Sequence, residues 1–260
     1  MADVVYPPII RVALGLFRSL DLRFDVRGQE HVPATGGAVV VMNHVGYLDF
    51  AIAGVPFWYA HKRFVRFMAK DDVFRHLVGG LFMRGMHHIP VDRTAGADAY
   101  AAAVAALRAG ELVGVFPEAT ISESFCLKDF KTGAARMAVE AGVPLLPLVL
   151  WGSQRVMTKG RKRDLRAARH TPVTISVGAP ISAAPGDDPV ELTARLRTVM
   201  GRMLAEAQAD YSDRPTAEQD GWWLPQHLGG TAPTPAEAAA RHDAAVAERL
   251  ARKEREAGGS

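Results

Sequence analysis

Five consecutive apolar residues, Ala38 to Met42, stand between a glycine-containing turn region and a polar segment that begins at Asn43. A run of this kind, without alternation, predicts a strand buried on both faces. The same pattern returns at Leu112 to Phe116 and in the stretch Pro144 to Trp151. Further strands are predicted at Phe64 to Ala69, Ile89 to Val91 and Val173 to Val177. Leu22 to Val26 alternates apolar and charged residues and reads as an edge strand. Phe50 to Tyr59 is predicted to be helical with a break near Pro56, and Val73 to Phe82 is apolar around Gly79-Gly80. Asp98 to Arg108 is an alanine-rich helix closed by Gly110, and Ala134 to Ala141 is a helix stopped by Gly142. Val190 to Gln208 has helical spacing at Val190, Leu192, Leu196, Val199, Met203 and Leu204. Strands alternating with helices predict an α/β fold. The expected form is one domain with a central mixed, largely parallel sheet flanked by helices, an N-terminal amphipathic helix and a helical C-terminal tail.

The two ends follow different patterns. Residues 8–22 are mostly apolar, with Arg11 and Arg18 on one helical face. The segment is too short to span a bilayer. It fits a helix lying in the membrane interface and it equally fits a first helix packed on the core. Residues 1–24 are expected to form the membrane-contacting helix, 25–210 the catalytic domain, and 211–260 a tail that is partly helical or disordered. Pro235 to Glu256 is a polar, alanine-rich helix candidate without a continuous apolar face. Trp222-Trp223 within the tail fits either docking on the domain or a membrane interface.

Composition narrows the class only slightly. Of 260 residues, 48% are hydrophobic and 23% charged, enough to bury a globular core. The net charge of +3 is mild, but basic residues concentrate at Arg155, Lys159, Arg161, Lys162, Arg163, Arg166 and Arg169, with only Asp164 against them. That run is either a solvated loop or a contact for an anionic bilayer, where each basic residue adds about 1 kcal/mol. A nucleic-acid role lacks aromatic interleaving or a recognisable module. The single cysteine, Cys126, permits no intrachain disulfide and points to a reducing compartment. It is a small packed residue or a reactive thiol. The N-terminus lacks signal-peptide features, and no apolar run is long enough for a transmembrane helix.

The chemistry lies at strand ends, where α/β folds place it. Asn43-His44-Val45-Gly46-Tyr47-Leu48-Asp49 follows the first buried strand, and Pro117-Glu118-Ala119-Thr120 follows another. If the turn after Asn43 opens a helix, Asp49 can reach back to His44. A carboxylate on Nδ1–H fixes the tautomer and leaves Nε2 to accept a proton. No Gly-x-Ser-x-Gly is present, which argues for direct activation of an acceptor hydroxyl over a covalent acyl-enzyme. His87-His88 has no paired metal-ligand spacing; no metal is expected, and the pair is placed in a strand or on its surface near Arg93.

Together these segments resemble the blocks of the glycerolipid acyltransferase family, of lysophosphatidate acyltransferase type. His44 through Asp49 matches its His-x-x-x-x-Asp block, and Ile89-Pro90-Val91-Asp92-Arg93 looks like the second. Phe116-Pro117-Glu118-Ala119-Thr120-Ile121-Ser122 looks like the third, usually Phe-Pro-Glu-Gly-Thr-Arg-Ser. Phe130-Lys131-Thr132-Gly133 matches the linking Phe-Lys-x-Gly, and Leu145-Leu146-Pro147-Leu148 looks like the fourth block. The blocks fall in order across residues 25–180.

The resemblance implies a 1-acyl-sn-glycerol-3-phosphate O-acyltransferase that moves a fatty acyl group from acyl-CoA to the sn-2 hydroxyl of lysophosphatidate. His44 would be the base and Asp49 its orienting group. Arg93, Lys128 and Lys131 would hold phosphate, Glu118 would contact the acceptor or brace the loop, and Thr120 belongs to the same substrate-binding block. Lys70 would stabilise the oxyanion or remain a solvated lysine. No cofactor is implied beyond acyl-CoA as co-substrate, and no nucleic acid. The partners would be the lipid substrates and a membrane surface, at the cytoplasmic face of the cell membrane, peripheral or monotopic. Two departures bear on the acceptor: Ala119 stands where glycine is usual, and Ile121 replaces the usual arginine. Competing readings are transfer to glycerol 3-phosphate or another lysolipid, transfer from acyl carrier protein, thioester hydrolysis, and a catalytically silent membrane-binding relative.

Overall fold

The computed structural model describes residues 4–75, 77–92 and 96–258. Its contacts divide the chain into two compact units, residues 1–121 with 129–212 and residues 122–128 with 213–260.

The larger unit carries the whole sheet. Its strands are β1 (Arg23–Arg27), β2 (Ala38–Met42), β3 (Val65–Lys70), β4 (Ile89–Val91), β5 (Leu112–Val115), β6 (Leu145–Trp151) and β7 (Pro172–Val177). The spatial order is β1-β7-β6-β2-β5-β3-β4. All neighbours are parallel except β6 and β7, so the sheet is mixed and largely parallel, as the sequence pattern predicts. Strands β2, β5 and β6 form its centre, and every residue in them is buried. β1 lies at the edge with alternating exposure, which is why it reads as an alternating strand. Because β2, β3, β5 and β6 run in one direction, the segments leaving their C-terminal ends emerge at one sheet edge.

The helices of this unit are α1 (Tyr6–Ser19), α2 (Asp49–Ala53), α3 (Val55–His61), α4 (Asp71–Arg75), α5 (Leu77–Gly85), α6 (Gly96–Arg108), α7 (Gly133–Ala141) and α8 (Pro189–Ala209). α1 buries Tyr6 and Phe17 and leaves Arg11, Val12, Leu16 and Arg18 exposed, so one face packs on the core and the other faces outward. It ends at Ser19, and Arg23 and Phe24 already belong to β1. α2 and α3 break at Gly54, and Pro56 sits in the first turn of α3, where its missing N–H costs nothing. α8 starts on Asp188, whose carboxylate accepts from Val190 N at 2.8 Å. Its buried stripe is Leu192, Leu196, Met200 and Leu204; Val190, expected on that stripe, lies in the first turn and is 63% exposed.

The smaller unit holds a helical tail, α9 (Pro235–Gly258). A reciprocal capping pair starts it: Thr234 N donates to Glu237 Oε2 at 2.8 Å, and Glu237 N donates to Thr234 Oγ1 at 3.2 Å. The helix is largely exposed, as its polar composition predicts. Trp223 is buried, and Trp222 sets its ring edge against Phe125 at 6.4 Å.

His87 and His88 lie in the turn ahead of β4 and not in the strand. His88 is buried: its Nδ1 accepts from Phe67 N at 3.0 Å, and its ring meets Tyr6 and Phe67 edge-on. Burial, with Arg66 and His87 adding like charge, pushes its pKa down to about 4. In the unfolded chain the ring takes a proton as pH falls below about 6.5. The unfolded state therefore binds more protons between that value and about 4, and stability falls as pH drops through this window, by about 3 kcal/mol. His88→Asn keeps an acceptor for Phe67 N but cannot titrate. Its unfolding free energy is expected to change less than the parent's between pH 7 and pH 4; equal slopes in denaturant titrations would contradict this assignment.

Candidate active site

Three strand ends build the site. Asn43 leaves β2 with its side-chain amide paired to the backbone of Leu150 in β6, Nδ2 to the carbonyl at 2.9 Å and Oδ1 from the N–H at 2.8 Å. This pair extends the β2–β6 ladder by one side chain and fixes where the next residue, His44, begins. The chain from Asn43 to Leu48 is a loop, and α2 opens only at Asp49. The carboxylate nevertheless reaches back, because the loop curls around it: Asp49 Oδ2 lies 3.0 Å from His44 Nδ1 and accepts from Val45 N at 2.7 Å and Gly46 N at 2.8 Å.

Gly46 leaves room for the curl. A Cβ there would approach the Met157 and Ser153 carbonyl oxygens at 3.0 Å and Asp49 Oδ1 at 3.2 Å. Asp49 itself is 0% exposed, and its Oδ1 accepts from Ser153 Oγ at 2.7 Å. Among the described residues the carboxylate's other hydrogen-bond partners, Val45 N, Gly46 N and Ser153 Oγ, are donors, so it acts as the acceptor and His44 carries its proton on Nδ1. Nε2 is then the nitrogen with a free lone pair. The His44 side chain keeps 20% exposure, so the ring is held at its edge without being sealed in. Phe116, at the end of β5, stacks on its face with centroids 4.1 Å apart.

Glu118 is buried, and its Oε1 accepts from His44 N at 3.0 Å. It thus ties the β5 end to the β2 end across 74 residues of sequence. Ala119 adopts φ of +61°, the left-handed conformation that glycine takes without penalty, and a Cβ there costs about 1 kcal/mol. The turn forms nonetheless, through Ala119 N to Phe116 O at 3.1 Å and Lys131 N to Pro117 O at 3.1 Å.

Residues 23–151 match the family model described as "Acyltransferase". A Bacillus subtilis (strain 168) protein named 1-acyl-sn-glycerol-3-phosphate acyltransferase is 31% identical over 159 residues, 58% of this chain and 75% of that one. The chain belongs to the glycerolipid acyltransferase family. The resemblance to the lysophosphatidate acyltransferase type is borne out as well. A Brassica napus chloroplastic protein of the same name, BAT2, is 29% identical over 57% of this chain, which spans only 44% of that relative. The crystal structure of the 1-acyl-sn-glycerophosphate (LPA) acyltransferase PlsC from Thermotoga maritima superposes with a TM-score of 0.65 at 26% identity, covering 80% of this chain and 81% of that one.

Lys131 is exposed on the loop that pairs with Pro117. Thr120 is half-buried just beyond Ala119. Lys70 ends β3 at the same sheet edge as His44, exposed and ion-paired with Asp72. Lys128 is half-buried in the smaller unit, and Arg93 lies outside the described residues. Ile121 is 8% exposed, so the position where relatives usually carry arginine presents no polar group. Among the described residues, no group of three His, Cys, Asp or Glu side chains could hold a metal ion.

Three participants escaped the sequence reading: Asn43, Phe116 as a stacking partner, and Ser153. Each is a polar or aromatic residue at the C-terminal end of a central strand, and that position is the signal that could have flagged them. An apolar groove also opens among α1, α2, α3 and β3, lined by Ile10, Phe17, Phe50, Trp58 and Phe67. Phe67 stacks on Phe116 at 6.4 Å, so aromatic rings connect this apolar groove to the face of His44.

Proposed function

We propose that this acyltransferase is a 1-acyl-sn-glycerol-3-phosphate O-acyltransferase that uses acyl-CoA and makes phosphatidate. The observation that carries the reading is the His44–Asp49 contact at 3.0 Å, with the ring partly open to solvent. His44 Nε2 takes the proton of the sn-2 hydroxyl as the oxygen attacks the thioester carbonyl. The C–S bond breaks, the acyl–oxygen bond forms, and the CoA thiolate leaves and regains a proton. Asp49 stabilises the imidazolium that forms between these steps.

Support for lipid substrates comes from the groove's apolar and aromatic lining, which suits an acyl chain. Arg93 and Lys131 are assigned to the acceptor phosphate, since paired basic side chains suit it. Thr120 is assigned to the acceptor and Lys70 to the oxyanion. The buried Ile121 favours a second acceptor reading, a lysolipid whose phosphate sits differently or glycerol 3-phosphate. Mass spectrometry of products from purified protein, offered several lysolipids with acyl-CoA or acyl carrier protein donors, separates these readings. Phosphatidate formed from lysophosphatidate and acyl-CoA supports the proposal; turnover with other acceptors only would redirect it.

A long acyl chain gains about 0.8 kcal/mol per buried methylene, so both substrates partition into membranes. Among the described residues no helix is long and apolar enough to cross one. Peripheral contact at the cytoplasmic face is therefore assigned to the outward face of α1 and the exposed basic residues 161–163. Reversing Arg161, Lys162 and Arg163 to Glu is expected to weaken sedimentation with anionic vesicles, with the loss larger at low salt. Unchanged, salt-independent binding of the variant would refute that assignment.

A further inference from the structure

Asp49 needs two sets of donors, and they come from different parts of the sheet. Oδ2 is held by its own loop, through His44 Nδ1, Val45 N and Gly46 N. Oδ1 has one donor among the described residues, Ser153 Oγ at 2.7 Å, and both side chains are 0% exposed.

Ser153 is delivered by the connection that follows β6. Gly152 takes φ of +99°, where a Cβ would strike the Pro172 carbonyl, and its N–H is fixed by Gln154 Oε1 at 2.8 Å. The chain therefore turns sharply after Trp151 and brings Ser153 to Asp49. A few residues on, Met157 O accepts from Tyr47 N at 2.9 Å and Thr158 Oγ1 donates to Val45 O at 2.6 Å. The 153–158 segment thus clasps the His44–Asp49 loop at three points.

We propose that Ser153 is a positioning residue of the acyl-transfer site, whose hydroxyl fixes the rotation of the Asp49 carboxylate so that Oδ2 faces His44 Nδ1. The inference rests on His44 acting as the general base. Rotation of a carboxylate about its last bond is soft. With Ser153 in place, each oxygen has its own donors. Without it, Oδ1 is a buried charged acceptor with no partner, a costly state. The carboxylate then turns to share the Val45 and Gly46 N–H groups between its two oxygens, and Oδ2 leaves the plane of the imidazole.

Ser153→Ala is expected to lower kcat about tenfold, or about 1.4 kcal/mol in the activation barrier, with KM for both substrates unchanged within about twofold. The acidic limb of its kcat profile moves to lower pH, because a carboxylate turned out of the imidazole plane stabilises the imidazolium less. Thr158→Val is the companion variant. It removes a buried hydroxyl donor from the same clasp without touching Asp49, so it lowers thermal stability while the pH profile stays in place. Imidazole ¹⁵N shifts of His44, followed with pH in the substrate-free protein, read the dyad without any turnover. Ser153→Ala is expected to displace that titration. A parental titration and pH profile in Ser153→Ala overturns the proposal, as does a Thr158→Val variant that reproduces every change. If the parent protein acylates no acceptor, the functional reading fails, and the ¹⁵N comparison still decides the role of Ser153.

Discussion

His44→Ala is expected to reduce acyl transfer by about 10²–10⁴-fold, the range that a positioned general base supplies. The fold should survive. The ring is one-fifth exposed, its removal opens no sealed cavity, and the backbone N–H of His44 keeps its bond to Glu118. Asp49 retains three donors in the variant: Val45 N, Gly46 N and Ser153 Oγ. The lost terms are the stack on Phe116 and one hydrogen bond, together about 1–2 kcal/mol. Initial rates measured beside a denaturant titration separate the two effects. Unchanged turnover in a folded variant would count decisively against the mechanism.

Asp49→Ala is expected to damage both activity and stability. It strands four donors around a fully buried position: two backbone N–H groups, the Ser153 hydroxyl and the imidazole N–H. Each unsatisfied buried group costs about 1–3 kcal/mol, so a loss on the order of 3 kcal/mol or more is expected even if the loop partly relaxes. Asp49→Asn tests the same point with shape preserved. Its amide can turn the NH₂ toward Ser153 Oγ, which also accepts, and keep a carbonyl oxygen for the three N–H donors. The asparagine variant should therefore be clearly more stable than the alanine variant, yet still impaired in transfer because the imidazolium has lost its counter-charge. Parent-like stability of Asp49→Ala would show that the carboxylate is not the hub of this loop.

The parts of this architecture that could be read from sequence are those fixed by local pattern. β2 and β6 announce themselves as apolar runs because both faces of a central parallel strand are covered, and Gly142 ends α7 at the left-handed position its identity suggests. The His44–Asp49 pair was legible for the same reason: its two members are five residues apart. Its supporting cast was not. Ser153 and Asn43 reach partners more than a hundred residues away, and those meetings depend on β6 lying beside β2. Strand order is a property of the whole sheet and leaves no mark on the spacing of any one segment. His88 misled for a related reason. The pair His87-His88 reads as part of a strand or its surface, yet His88 precedes β4, and α1 and β3 cover it with Tyr6 and Phe67. Val190 shows the converse, an apolar residue in helical register that the first turn of α8 leaves uncovered.

Acceptor dependence of thioester cleavage is the most direct test of the central claim, that an imidazole oriented by Asp49 takes its proton from a lipid alcohol. Free thiol released from acyl-CoA by the purified protein is followed with and without lysophosphatidate, for the parent and for His44→Ala. Release that requires the acceptor, matches phosphatidate formed one for one, and collapses in the variant is the predicted result. Release at the same rate without acceptor, or undiminished without the imidazole, would contradict it.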